Sequence, residues 1–445
     1  MPSTAELRAT GRGFRAQCPR SMLGTGFRTD RDPVALLDAQ NALRLPWLVP
    51  IRWGRMAESA FTFYRGAAAL MAHDLAPTPV SGIRVQACGD AHLSNFGFYA
   101  SPERELVFDL NDFDETLPAP WEWDVERLVA SLAVAARAGG FADAVAHQAA
   151  RAGAGAYREA MGALSERSAL ANFHTLVSAS ALLELSERTG TSQAAKEIGR
   201  VTRKAARRTS ETALRRLSTV TEHGRLRLDE QPPIMVRPDQ WPEDIARVPE
   251  LYAATLSPDV RALLGRFRPV DFLLRVVGVG SVGTRCLIGL LLDSTESPLF
   301  LQIKEAGPSV LEPWAGPSPI VHAGERVVAG QRIMQAVSDA LLGWTSSAGR
   351  HYYVRQFRDM KGGFDIERLS ARLLVEYGRL CGAVLARAHA QSCEPALIAG
   401  YLGGSERFDD AMAAFALAYA EQNAADHAAL LAAIASGHVP ADLVG

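Results

Sequence analysis

At 445 residues the chain has length for two or three domains of about 150 residues each, which excludes a peptide hormone or a disulfide knot. Hydrophobic residues make up 48% and charged residues 22%, so enough apolar surface is available to offset the entropy of ordering, and wholesale disorder is excluded. A formal net charge of -2 supplies no global field for nucleic acid or an anionic membrane; either partner would need a local patch.

In chain order, residues 34–76 carry apolar positions at helical spacing interrupted by Pro46 and Pro50, which predicts two helices before the turn-rich APTPVSG at 76–82. The stretch IRVQACGDAHLSNFGFY then reads as strand and loop, and ELVFDLNDFDE as strand and acidic turn bounded by Pro118 and Pro120. From Trp123 to about Leu217 an Ala- and Leu-rich pattern of period 3.6 predicts three or four packed helices, broken at Gly139-Gly140 and near Thr189–Thr191. Between 265 and 357 the pattern turns to β-type runs (DFLLRVVGVGSVGTRCLIGLLL, SPLFLQIKEA, HYYVRQF) with a helix over 323–341. Past Gly362-Gly363, helices are predicted over 366–392 and 408–435.

The five cysteines (Cys18, Cys88, Cys286, Cys381, Cys393) are odd in number and never in CxxC spacing, which fits neither a disulfide framework nor a zinc ribbon and points to a reducing cytoplasm. No apolar leader and no run of about 18 apolar residues is found, so neither export nor a membrane is expected. Lysine stands only at Lys196, Lys204, Lys304 and Lys361 in a chain that otherwise uses arginine. The basic stretch from Lys196 to Arg216 lacks interleaved aromatic residues, so it reads as a solvated helix face and nucleic acid is not an expected partner.

Four constellations carry chemistry. In Gly89-Asp90-Ala91-His92-Leu93-Ser94-Asn95, Asp90 and Asn95 have a spacing that lets a carboxylate reach an acceptor hydroxyl while an amide oxygen meets a phosphate-bound metal; alone, the segment also fits a solvated loop. The run Phe108 to Glu115 holds four acidic residues, self-repelling without a cation. Magnesium is the economical partner, with Asp112 the first choice of ligand, Asp114 on the same side by strand parity and Asp109 opposite. Gly278-Val279-Gly280-Ser281-Val282-Gly283 is followed by a strand, which favours a phosphate-covering hairpin over a dinucleotide turn. Lys304, in an apolar strand, is a candidate phosphate contact, and Glu325, 21 residues on, is a candidate carboxylate to orient it, with Glu305 and Glu312 as rivals.

These residues resemble the protein-kinase-like superfamily, especially its aminoglycoside-phosphotransferase branch. FYRGAAALMAHDL, CGDAHLSNFG, FDLNDFDETLPAPWEWDVERL, VGVGSVGTRC, LQIKEA and YYVRQFRDMKG are similar, nearly end to end, to the bacterial family catalogued as domain of unknown function 2252 (DUF2252). The resemblance implies an α+β, two-lobed, protein-kinase-like fold with a mainly helical lobe and a smaller antiparallel β-sheet lobe. It is circularly permuted, because the acidic pieces precede the glycine loop by roughly 190 residues. Implied boundaries are a helical segment at 1–80 packing on the helical lobe, a helical part with catalytic loop and metal strand at 81–262, a β-rich nucleotide-binding part at 263–362, and returning helices at 363–445.

Implied roles are Asp90 as base, with His92 and Asn95 in its loop; Asn95, Asp112 and Asp114 around magnesium; Gly278, Gly280, Ser281 and Gly283 as phosphate lid; and Lys304 with Glu325 on the phosphates of ATP or another nucleoside triphosphate. Asp124 would hydrogen-bond the catalytic-loop backbone, or simply cap its helix. The acceptor would be an unidentified small molecule or protein. Cys88 stands where the branch has histidine and Asp114 where it has the glycine of D-F-G. Nucleotide binding without turnover and nucleotidyl (AMP) transfer in the same cleft therefore stay open as alternatives.

Overall fold

In the computed structural model, residues 2–188, 191–237, 244, 247–357 and 360–442 are described. The helix Trp121–Ala138 is buried at every position from Trp121 to Ala136, because the helices Asp143–Leu164, Ala371–His389 and Arg407–Ala435 surround it. Small residues make this possible: a Cβ at Gly382 would stand 2.1 Å from the Gly153 carbonyl oxygen, so two of these helices cross backbone against backbone. No helix among the described residues is long and apolar enough to cross a membrane.

The strands form small antiparallel sheets, and the fold is α+β. β1 (Arg84–Ala87) pairs with β4 (Leu117–Pro120), while β2 (Phe96–Ala100) and β3 (Leu106–Leu110) make a hairpin in which Phe96 faces Leu110. Pro118 and Pro120 close the acidic turn on its C-terminal side. They lie within β4, in a two-stranded ribbon where a missing N–H costs no second partner. A ribbon of β5 (Ser218–Val220) and β6 (Leu226–Leu228) precedes the main sheet. That sheet contains β7 (Met235–Val236), β8 (Arg268–Arg275), β9 (Cys286–Leu292), β10 (Pro298–Ala306), β11 (Gly343–Ser347) and β12 (Arg350–Gln356), in the order β11-β12-β10-β9-β8-β7.

Several boundaries differ from the sequence expectation for physical reasons. The first region holds four helices, Pro33–Asn41, Val49–Ala57, Ala60–Gly66 and Ala68–Leu75. Pro50 starts the second, a Ser59–Thr62 capping box the third, and the off-helical Ala67 divides the last two. Among the described residues the stretch to Leu217 contains six helices, with Ser168 and Thr209 capping two of the extra ones. The predicted break at Thr189–Thr191 falls, in its first two residues, outside the described residues, as do Arg358 and Asp359. The helix expected over 323–341 is Ala323–Met334. It stops there because Gln335 Nε2 donates to Leu110 O at 2.6 Å and Ala336 N to Asp109 Oδ2 at 2.8 Å, which pulls the chain onto the β3 strand.

Candidate active site

The loop after β1 is fixed from below. Cys88 N and Gly89 N donate to the two Asp124 carboxylate oxygens at 2.6 and 2.8 Å, and His389 Nε2 lies 3.1 Å from the same carboxylate. Asp124 is therefore a buried anchor rather than a helix cap; the cap position is Pro120. Gly89 has φ +79°, and a Cβ there would stand 2.4 Å from Glu115 O, so both conformation and space require glycine. Asn95 Nδ2 donates to Asp90 O at 2.7 Å, and Tyr377 OH donates to Leu93 O at 2.9 Å, closing the loop.

That frame aims Asp90 into a cleft. Arg127 Nε donates to Asp90 Oδ1 at 2.9 Å, and its guanidinium lies 3.9 Å above the Tyr64 ring. Burial raises the Asp90 carboxyl above its ordinary range even though Arg127 pulls it down, which makes it a stronger proton acceptor than an exposed aspartate. His92 is nearly fully buried; burial, and then the charge of Arg127, hold it well below its ordinary value, so the ring is neutral at pH 7. Its Nδ1 accepts from Ser94 N at 3.2 Å, which gives it a place in shaping the loop.

Beyond β3 the chain places Asp112 and Asp114 on one side and Phe113 in the core. Lys304, on β10, makes an ion pair with Asp114 and lies 3.8 Å from Asp112 Oδ1. Tyr353, opposite Lys304 in the β10–β12 register, donates to Asp114 Oδ1 at 2.9 Å. Ser281 of the glycine loop donates to Asp114 Oδ2 at 3.3 Å, joining loop, strand and acidic turn in one cluster. Burial and the neighbouring Asp114 raise the Asp112 carboxyl. Burial would raise Asp114 too, but Lys304 and the Tyr353 hydroxyl outweigh it and leave that carboxyl lowered. Asp109 faces the other way: its Oδ2 takes Arg387 Nη2 and Ala336 N, both at 2.8 Å, which leaves it no freedom to hold a cation in the cleft.

Asp90, His92, Asn95, Asp112, Asp114, Gly278, Gly280 and Ser281 line one cavity of about 740 Å³. Three expected residues stand off its wall: Lys304, Gly283 and Glu325. Lys304 lies directly behind it, reaching it through the two aspartates, and Gly283, at φ +95°, packs its α-carbon against Arg44. Glu325 is not brought to Lys304. The helix Ala323–Met334 is phased so that Arg326, one residue on, turns inward and donates to Thr116 O, Asp114 O and Gly307 O. Neither rival glutamate replaces it: Glu305 pairs with Arg285 and Arg350, and Glu312 accepts from Ser309 N. The orienting carboxylate of Lys304 is Asp114.

Asp112 Oδ1 is buried without a hydrogen-bond donor, the unsatisfied oxygen that a divalent cation would complete. With Asn95 Nδ2 given to the loop, the amide oxygen is the atom left for the same ion. Among the described residues no group of three or more His, Cys, Asp or Glu forms a metal site, so a cation held here would draw further oxygens from a ligand or water. The residues fit magnesium carried in with an anionic ligand better than a resident metal. Sequence reasoning missed Arg127, although its spacing of three from Asp124 puts both on one helix face. It also passed over Tyr353, two residues from Arg355 on the strand face that meets Lys304.

A family model described as an uncharacterized protein conserved in bacteria (DUF2252) matches residues 44–433. No curated protein and no solved structure matches the chain.

Proposed function

The chain belongs to the DUF2252 family, and because that membership carries no activity we propose one from the cleft: an ATP- and magnesium-dependent phosphotransferase acting on a hydroxyl acceptor. The observation that carries the reading is the convergence of Asp90, Asn95 and Asp112 with the Gly278–Ser281 loop on one cavity, with Lys304 seated on Asp114 behind it. Strand order supports it. Counting from β8, the glycine loop joins the first two strands, Lys304 lies on the third, and a helix follows before the fourth, the order of parts in a kinase nucleotide-binding lobe. The helix Ala371–His389 packs under the Asp90 loop through Tyr377 and His389, which fits a kinase-like fold opened between that helix and that loop.

In this reading the acceptor oxygen bonds to the γ-phosphorus as the bridging bond to the β-phosphate breaks. The departing diphosphate takes the electron pair, and the hydroxyl proton passes to Asp90. The chain supplies positioning and charge neutralisation. Asp112 and Asn95 would hold magnesium, which screens the phosphate oxygens, and Lys304 would transfer its contact from Asp114 to the phosphates.

The test is magnesium-dependent binding of ATP or GTP followed by thermal shift, then transfer to candidate acceptors. Lys304→Ala should weaken nucleotide binding, and Asp90→Asn should bind yet fail to transfer. Absence of any magnesium-dependent shift in the wild type rejects the proposal.

A further inference from the structure

Residues 44–66 grip the glycine loop from the side opposite the sheet. Leu45 N donates to Gly283 O at 2.8 Å, Arg44 Nη1 bonds Val282 O, and Arg55 Nη1 donates to Gly278 O at 2.7 Å. Arg65, in the last turn of the helix Ala60–Gly66, continues this contact: its carbonyl oxygen lies 3.5 Å from the point a Gly280 Cβ would occupy. Arg65 lines the cavity together with Asp90 and Asn95.

The guanidinium of Arg65 is the anomaly. Its Nε is buried without a hydrogen-bond partner, and among the described residues the side chain makes no hydrogen bond and no ion pair. Its neighbour Arg52, fully buried, has an equally unpartnered Nε but gives its two Nη groups to Leu37 O, Asn41 Oδ1, Gln40 Oε1 and Gly66 O, so this part of the chain can supply acceptors where a cation is structural. A half-buried guanidinium with none is costly unless an anion completes it. Burial lowers the Arg65 guanidinium from its ordinary value while the carboxylate of Asp90, on the same cavity wall, acts in the opposite sense.

Resting on the phosphotransferase reading, we infer that Arg65 is a further catalytic residue. Its backbone carbonyl meets the Gly280 lid and it shares the cavity wall with Asp90, where its guanidinium neutralises the phosphoryl group being transferred. A planar, multiply donating cation suits phosphate oxygens, and one fixed in place needs no rearrangement as charge develops.

The experiment is calorimetric binding of magnesium ADP and of magnesium β,γ-imido-ATP to the full chain, for wild type, Arg65→Ala and Arg65→Lys, each checked for an unchanged unfolding temperature. The wild type should prefer the triphosphate analogue. Arg65→Ala should lose at least tenfold in analogue affinity and less than twofold in ADP affinity, and Arg65→Lys should keep part of the preference. Equal losses for both nucleotides, or an unchanged preference in both variants, overturns the inference alone. A wild type that binds neither nucleotide overturns the phosphotransferase reading and the inference with it.

Discussion

Asp124→Ala tests the frame of the site without touching its cavity. Two backbone N–H groups, of Cys88 and Gly89, lose a charged acceptor at 2.6 and 2.8 Å, and His389 loses its carboxylate. Hydrogen bonds to charged groups contribute about 1.5–3 kcal/mol each, so two of them amount to about 4 kcal/mol. Asp124→Asn keeps one acceptor oxygen but turns an NH2 toward the other N–H, so it should cost about half as much. Urea unfolding gives the global loss, and hydrogen exchange on peptides spanning 86–95 gives the local one. Both variants should expose the Cys88 and Gly89 amides to exchange, the alanine more than the asparagine. Unchanged protection in the alanine variant, or a loss below about 0.5 kcal/mol, refutes the anchoring role, because surface substitutions reach that size without any special mechanism.

Asp112→Asn should abolish magnesium-dependent nucleotide binding measured by calorimetry, while Asp109→Asn, in a carboxylate occupied by Arg387, should lower stability and leave that binding intact; the reverse result would move the metal to Asp109. Lys304→Met leaves the half-buried Asp112 and Asp114 without their closest cation, a change that should cost less than the ~3–5 kcal/mol of breaking a fully buried pair, because solvent screens both carboxylates. Without the lysine both carboxyls titrate above their unfolded values, so protons favour the folded state and the deficit should shrink as pH falls from 8 to 5.5; an equal unfolding-temperature deficit at both pH values contradicts this. Glu122, buried beside Ser81 N at 2.7 Å, is pushed up by burial to about 7. Its folded value lies above the unfolded one, so its contribution is full below about pH 4.5 and is lost as pH rises through 7, up to about 3 kcal/mol by pH 8. Glu122→Gln should flatten that fall in urea-unfolding series, and an unchanged slope would assign it elsewhere.

What the sequence made legible is chemistry that is rare in its setting. Lys304 is conspicuous as a lysine inside an apolar strand of an arginine-using chain, and the Asp112–Asp114 pair by parity along one extended stretch. Such local patterns survive folding because a strand's two faces are fixed by its own period. What stayed hidden depends on the phase of one element against another. Spacing put Glu325 on the right helix, but one residue is about 100° of rotation, and the inward face belongs to Arg326. The early end at Met334 was equally unreadable, since the acceptors that unwind it, Asp109 and Leu110, lie more than 200 residues earlier. Arg65 was passed over for the same reason: nothing near FYRG announces a glycine loop more than 200 residues on. The missing glutamate nonetheless has a consequence of its own. With Asp114 as its counter-ion, Lys304 is neutralised by the acidic turn itself, so the charges of the cleft compensate one another. Under the proposed function, phosphates could take Lys304 only if a cation replaced it beside Asp112 and Asp114, because two adjacent half-buried carboxylates repel one another when left bare. Magnesium and nucleotide are then coupled through one exchange of partners, which a lysine paired to a helix glutamate would not require.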